Sequence, residues 1–97
     1  MAKVLLSGRA REDLKDIGRY TQKTWGVAQR DHYLGQIAEA MVALADGRQS
    51  GVARNDLRLG LWCHPVNRHL IFFRRTPFGT VDILRILHDR MDSDRHL

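Results

Sequence analysis

Six arginines, Arg48, Arg54, Arg58, Arg68, Arg74 and Arg75, fall between Gly47 and Val81, where the only carboxylate is Asp56. A guanidinium offers a planar fork of donors that holds carboxylate or phosphate at two points, so this stretch is equipped to grip an acidic partner. Ser7 to Asp46 carries as many cations as carboxylates, so the net charge of +5 resides in the middle-to-late part of the chain. A further arginine, Arg85, stands among Ile83, Leu84, Ile86 and Leu87. A charge among apolar neighbours is costly unless paired, by Asp82, by the tail or by a partner. His88 follows it, and these two come nearest to an acid-base site.

RNA cleavage would need a base for the 2′-hydroxyl, an acid for the leaving oxygen and cations on the developing charge. Arg85 and His88 can supply part of this, but Lys3, Lys15 and Lys23 all come early, Glu12 and Glu39 lie in helical stretches, and no tyrosine follows Tyr33. No catalytic residue is assigned on this basis, and the expected activity is binding. His64 and His69 flank a turn while His32, His88 and His96 are scattered, so they read as packing or surface histidines, with no metal and no cofactor expected. Cys63 falls in the buried phase of a strand pattern and reads as a small core residue. As the single cysteine it can form no intramolecular disulfide, which fits a reducing, cytoplasmic setting.

The elements that must position these side chains follow from periodicity. Lys3 to Leu6 is a short strand, and Ser7 can cap the helix that follows. Ala10, Leu14, Ile17, Thr21 and Trp25 form one helical stripe, and Arg30, Leu34, Ile37, Met41 and Leu44 form another from Val27 to Asp46. With only Gly26 between them the helices must make an antiparallel hairpin, and Gly35 with its alanine neighbours would permit close approach. Gly47 to Asn55 reads as a basic loop. Leu57, Leu59, Leu61 and Cys63 then alternate with Arg58, Gly60, Trp62 and His64, which predicts a half-buried strand. Turns at residues 65–68 and 76–79 separate it from strands over His69–Arg75 and Thr80–Leu87. On the last strand, unbroken alternation puts Leu84 and Ile86 on one face and Val81, Ile83, Arg85 and Leu87 on the other. The fold class is α+β: a short N-terminal strand and a two-helix hairpin packed on a C-terminal three-stranded antiparallel meander.

A chain of 97 residues makes one domain, here residues 1–97, with 89–97 expected to be a mobile tail. No apolar run is long enough for a secretory signal or a membrane span, so no membrane partner is expected. No helix concentrates basic charge as a DNA groove would require, so no direct sequence-specific DNA binding is expected either.

Ser7 to Ile17 is similar to the first-helix signature of the ParE toxins, Trp25-Gly26 sits where they place their interhelix turn, and Leu70-Ile71-Phe72-Phe73-Arg74 resembles their aromatic-arginine strand. Ile83-Leu84-Arg85-Ile86-Leu87-His88 with Met91-Asp92 resembles their terminal motif. In order and at suitable spacing, these pieces identify the chain as resembling the ParE branch of the ParE/RelE superfamily along nearly its whole length. The resemblance implies a non-enzymatic toxin that inhibits DNA gyrase and is neutralised by a ParD-like antitoxin, with ribosome-dependent messenger RNA cleavage of the RelE type as the alternative. It places Arg85, His88, Arg90 and Met91 toward the target. It places Leu14, Tyr20, Trp25, Arg58, Trp62, Arg74 and Arg75 toward the antitoxin, whose acidic flexible segment would suit the arginines. One departure is that ParE members often carry two basic residues just after the glycine matching Gly60, where this chain has Trp62 and Cys63; a partly exposed tryptophan there would serve as an interface anchor.

Overall fold

The computed structural model describes residues 3–97. Strand β1 (Lys3–Leu6) ends at Ser7, which starts helix α1 (Gly8–Trp25). Ser7 is extended, and its Oγ accepts the Ala10 amide at 3.0 Å, satisfying one of the orphan donors of the first turn. The same hydroxyl donates to the Leu84 carbonyl at 2.7 Å, tying the helix start to the last strand. Gly26, at φ 95, closes α1 and opens α2 (Val27–Asp46). The predicted hairpin forms, but the close approach is at Gly18, where an added Cβ would lie 3.4 Å from Leu34; Gly35 faces open space.

The sheet has five strands in the order β1-β5-β4-β3-β2, with β2 (Val52–Ala53), β3 (Trp62–Val66), β4 (His69–Arg75) and β5 (Thr80–His88). It is mixed: β2 to β5 are antiparallel neighbours, and β1 runs parallel to β5. The expected three-stranded meander is therefore its centre, extended on both sides. The loop expected over Gly47–Asn55 contains the edge strand β2. The strand expected from Leu57 begins only at Trp62. Residues 54–61 coil instead, with Arg58 N and Leu57 N donating to the Arg54 carbonyl and the Asn55 side chain accepting the Gly60 amide at 2.9 Å. Leu57 and Leu61 still turn inward, while Leu59 is 83% exposed.

The alternation predicted along β5 breaks at Leu84. Ile83 pairs with Phe73 and Arg85 with Phe72, so Leu84 is an extra residue, a β-bulge that reverses the phase beyond it. Val81, Ile83 and Ile86 consequently share the helix-facing core with Ala10, Ile17, Ile37, Met41, Leu44, Ile71 and Phe73. Leu84 and Leu87 face the other way, with Leu61, Cys63 and Phe72. The bulge leaves backbone groups to satisfy, and other elements satisfy them: Ser7 N donates to the Ile83 carbonyl, Ser7 Oγ to that of Leu84, and the Asp13 carboxylate accepts the Ile86 amide at 2.9 Å. Beyond β5 the chain makes a single helical turn, α3 (Ser93–His96), and Leu97 packs on the far-face cluster. Among the described residues no helix is long and apolar enough to cross a membrane.

Candidate functional site

The cavity of most interest is a groove of about 540 Å³ between α1 and the end of β5, walled by Ile17, Tyr20, Trp25, Tyr33, His88 and Met91. Tyr20 and Trp25 are 68% and 70% exposed. Trp25 lies on the apolar stripe of α1, as its last residue, yet stays outside the core. Exposed aromatics beside buried aliphatic groups are the usual makings of a protein-binding surface. The groove joins residues that the sequence reading assigned to different partners: Tyr20 and Trp25 from the antitoxin set, His88 and Met91 from the target set. Leu14 lies outside it, lining a shallower depression with Gly18, Arg30 and Leu34.

At one end of the groove lies a polar cluster. His69 and His88 are cross-strand partners with ring centroids 5.3 Å apart. Tyr33, from α2, brings its hydroxyl 2.6 Å from His69 Nδ1 and accepts the Arg68 amide at 3.3 Å. Burial, reinforced by His88, pushes the His69 pKa below the ordinary imidazole value, and burial likewise raises that of Tyr33. Both groups are thus held neutral near pH 7. The His88 Nδ1 accepts the Arg90 amide at 3.1 Å, and Arg68 reaches Asp89 at 3.5 Å.

Arg85 occupies a different place from the one expected of a target contact. Its Nε and Nη2 donate to the two oxygens of Asp13 at 2.8 and 2.9 Å, and its Nη1 donates to the His96 carbonyl at 2.8 Å. The two side chains are 17% and 12% exposed. The pair meets the requirement that a charge in such a setting be matched and hydrogen-bonded, with Asp13 rather than Asp82 as the carboxylate. Among the described residues, Asp82 Oδ1 is buried without a partner. Asp13 is the residue that sequence reasoning passed over, and a signal existed: with Ala10 and Ile17 it makes a three-four spacing on the buried stripe, where a carboxylate needs a cation.

The arginine surface divides in the same way. Arg75 donates to the carbonyls of Leu44, Gln49 and Ser50, closing the end of α2, and its guanidinium stands 6.0 Å from the Trp62 ring. Trp62 is only half exposed and packs against the helix-facing core. Arg48 pairs with Glu39 and Asp46, and Arg54 with Asp56. Arg58, Arg74 and Arg90 are exposed and form no ion pair among the described residues.

Comparison with known proteins agrees with this architecture. The family model described as the ParE toxin of the type II toxin-antitoxin system parDE matches residues 4–93. Toxin ParE1 of Mycobacterium tuberculosis is 36% identical over 96 residues, covering 99% of this chain and 98% of the relative. Toxin ParE1 of Caulobacter vibrioides is 33% identical over 93 residues, covering 95% and 94%. Among solved structures, a chain of the chromosomal ParDE system from P. aeruginosa superposes with a TM-score of 0.76 at 20% identity, covering 91% of this chain and 96% of that one. One from the toxin-antitoxin complex RelBE2 of Mycobacterium tuberculosis superposes at 0.52 and 23% identity, covering 90% and 96%; these two likenesses bear on the fold alone. The chain belongs to the ParE toxin family of type II toxin-antitoxin systems.

Proposed function

We propose that this protein is a cytoplasmic toxin that inhibits DNA gyrase by binding it, and that a ParD-like antitoxin neutralises it by laying an apolar, acidic segment over the groove and the free arginines. The observation that carries the reading is the groove itself: two largely exposed aromatics, Tyr20 and Trp25, border a cavity also lined by Ile17 and Ile86 of the helix-facing core. An amphipathic helix laid in such a groove buries apolar area at its anchors, and Arg58 and Arg74 remain available to carboxylates. Membership of the ParE family and the pairing of ParE with ParD in the P. aeruginosa system support the choice of partner.

Binding accounts for the toxin without catalysis. One observation favours a second reading, ribosome-dependent messenger RNA cleavage: His69 and His88 stand together beside Arg68 and Tyr33, a grouping able to move a proton at a phosphodiester. Induced expression without antitoxin separates the two. Loss of supercoiling with DNA breaks and intact messages supports the gyrase reading. Rapid message cleavage with normal supercoiling sinks it and makes His69 and His88 the residues to substitute. A Trp25→Ala, Tyr20→Ala variant should fold normally and lose most of its affinity for the antitoxin; undiminished affinity removes the groove from the interface.

A further inference from the structure

The end of the chain lies over the far face of the sheet, opposite the helices. Two contacts hold it there. Arg85 Nη1 donates to the His96 carbonyl at 2.8 Å. Leu97 packs with Leu57, Leu70 and Leu84 against Leu61, Cys63, Phe72 and Leu87. Asp94 adds only a weak, longer-range attraction toward Arg54, whose guanidinium is bound to Asp56. The strand ladder ends at His88, so none of these contacts is part of it. Segments held in this way open locally without disturbing the sheet beneath them.

We propose that residues 92–97 form a detachable strap, latched by Arg85, over an apolar docking surface on the far face of the sheet, and that this surface accepts a short acidic segment bearing a leucine-like side chain from a partner protein. The strap displays the chemistry its replacement must offer. It places a backbone carbonyl on Arg85 and an aliphatic side chain on the cluster of Leu61, Cys63, Phe72 and Leu87, with the negative charge of Asp94 on the side of Arg54. When it leaves, Arg85 keeps both bonds to Asp13, so the latch stays in position with one donor free. Arg85 is thus a positioning residue for the far face, and the inference holds whichever macromolecule the toxin inhibits.

Cys63 reports on the strap because it is 6% exposed and lies in the covered cluster. The test is the labelling rate of Cys63 by a small neutral thiol reagent under native conditions, on the full chain, with the urea midpoint measured in parallel. Leu97→Ala should label about tenfold faster or more, at a rate that stays flat through the lowest urea concentrations, as opening of a local segment requires. Arg85→Lys, which keeps a charge beside Asp13 but cannot bridge it to the tail, should label faster than its own midpoint accounts for. The peptide Asp-Ser-Asp-Arg-His-Leu at millimolar concentration should slow labelling of the Leu97→Ala chain. Labelling rates that climb from the lowest urea concentrations in step with global unfolding overturn the strap, and a peptide without effect on labelling overturns the docking surface.

Discussion

The two faces of the sheet carry clusters of the same residue kinds, closed by different means. On one face, α1 and α2 lay regular apolar stripes over Ile71, Phe73, Val81, Ile83 and Ile86. On the other, Leu61, Cys63, Phe72 and Leu87 are covered by an irregular coil and by the end of the chain. Helices close a core through many small contacts, and no single one decides the outcome. The far face depends on a few polar fixings: the Arg54 and Asp56 pair, the Asn55 side chain on the Gly60 amide, and Arg85 on the His96 carbonyl. The helix face therefore supplies stability, while the far face is the part of the molecule able to open.

The Asp13 and Arg85 pair connects the two, since Asp13 stands on α1 and Arg85 also holds the tail. Asp13→Ala leaves a largely buried guanidinium without its carboxylate and the Ile86 amide without its acceptor. Breaking such a pair from one side costs about 3–5 kcal/mol, and we expect the urea midpoint to fall accordingly, with both faces loosened together. A loss of less than about 1 kcal/mol would show that the pair is solvated and that the faces are independent.

Gly51 tests the edge where the irregular side meets the helix-facing core. Its φ is 74, and an added Cβ would stand 2.7 Å from Cζ of Phe73 and 3.1 Å from the Cys63 carbonyl. Gly51→Ala should cost about 1–2 kcal/mol for the left-handed backbone and about 1–3 kcal/mol more for overpacking. Gly60, at φ 79, has nothing within 4 Å, so Gly60→Ala should show the backbone contribution alone. Equal losses of thermal stability in the two variants would mean that the Phe73 ring moves aside freely.

The same contrast explains what was legible in the sequence. Both helices, their glycine junction and the Ser7 cap follow from a 3.6-residue period and local capping chemistry, and they came out as read. Leu57, Leu59, Leu61 and Cys63 carry a strand-like period of two, but the coil around Arg54, Asn55 and Gly60 takes hydrogen bonds that a ladder would need. The β5 bulge is invisible in the pattern because Ile83, Leu84, Ile86 and Leu87 are apolar whichever face they take. Of the candidate site, Tyr20, Trp25, His88 and Met91 were named from the sequence, but their meeting in one groove depends on how α1 crosses the sheet. Asp13 could have been found from its place on the buried stripe between Ala10 and Ile17, whereas His69 became identifiable as a site residue only from its tertiary partners.

Ser7→Ala probes the junction between the faces more gently. It removes the acceptor of the Ala10 amide and the donor to the bulge carbonyl of Leu84. Loss of an N-cap hydroxyl costs about 1 kcal/mol, and the uncovered Leu84 carbonyl should carry the effect toward the far face, read as faster amide exchange near the bulge than elsewhere in β5. Exchange raised evenly through α1 alone would confine Ser7 to capping.

The smallest effect expected is one of pH, in the polar cluster of the groove. Burial, and then the neighbouring His88, hold the folded-state pKa of His69 below its ordinary value of 6.5, against the weaker opposing pull of Asp89 and Asp13. Above that value both folded and unfolded chains carry a neutral imidazole, and His69 adds no pH dependence. As pH falls through it, the unfolded chain binds the proton first, so stability declines until the folded-state pKa is reached and then levels off. Burial lowers the pKa of His64 as well, so it contributes a decline of the same sign. Urea unfolding across this acidic range should therefore show a shallow loss in the native chain and a flatter one in His69→Gln, which keeps an acceptor for Tyr33. An unchanged slope would assign the whole decline to other groups and leave His69 solvated, and the groove would then be open to water at the end where Tyr33 now closes it.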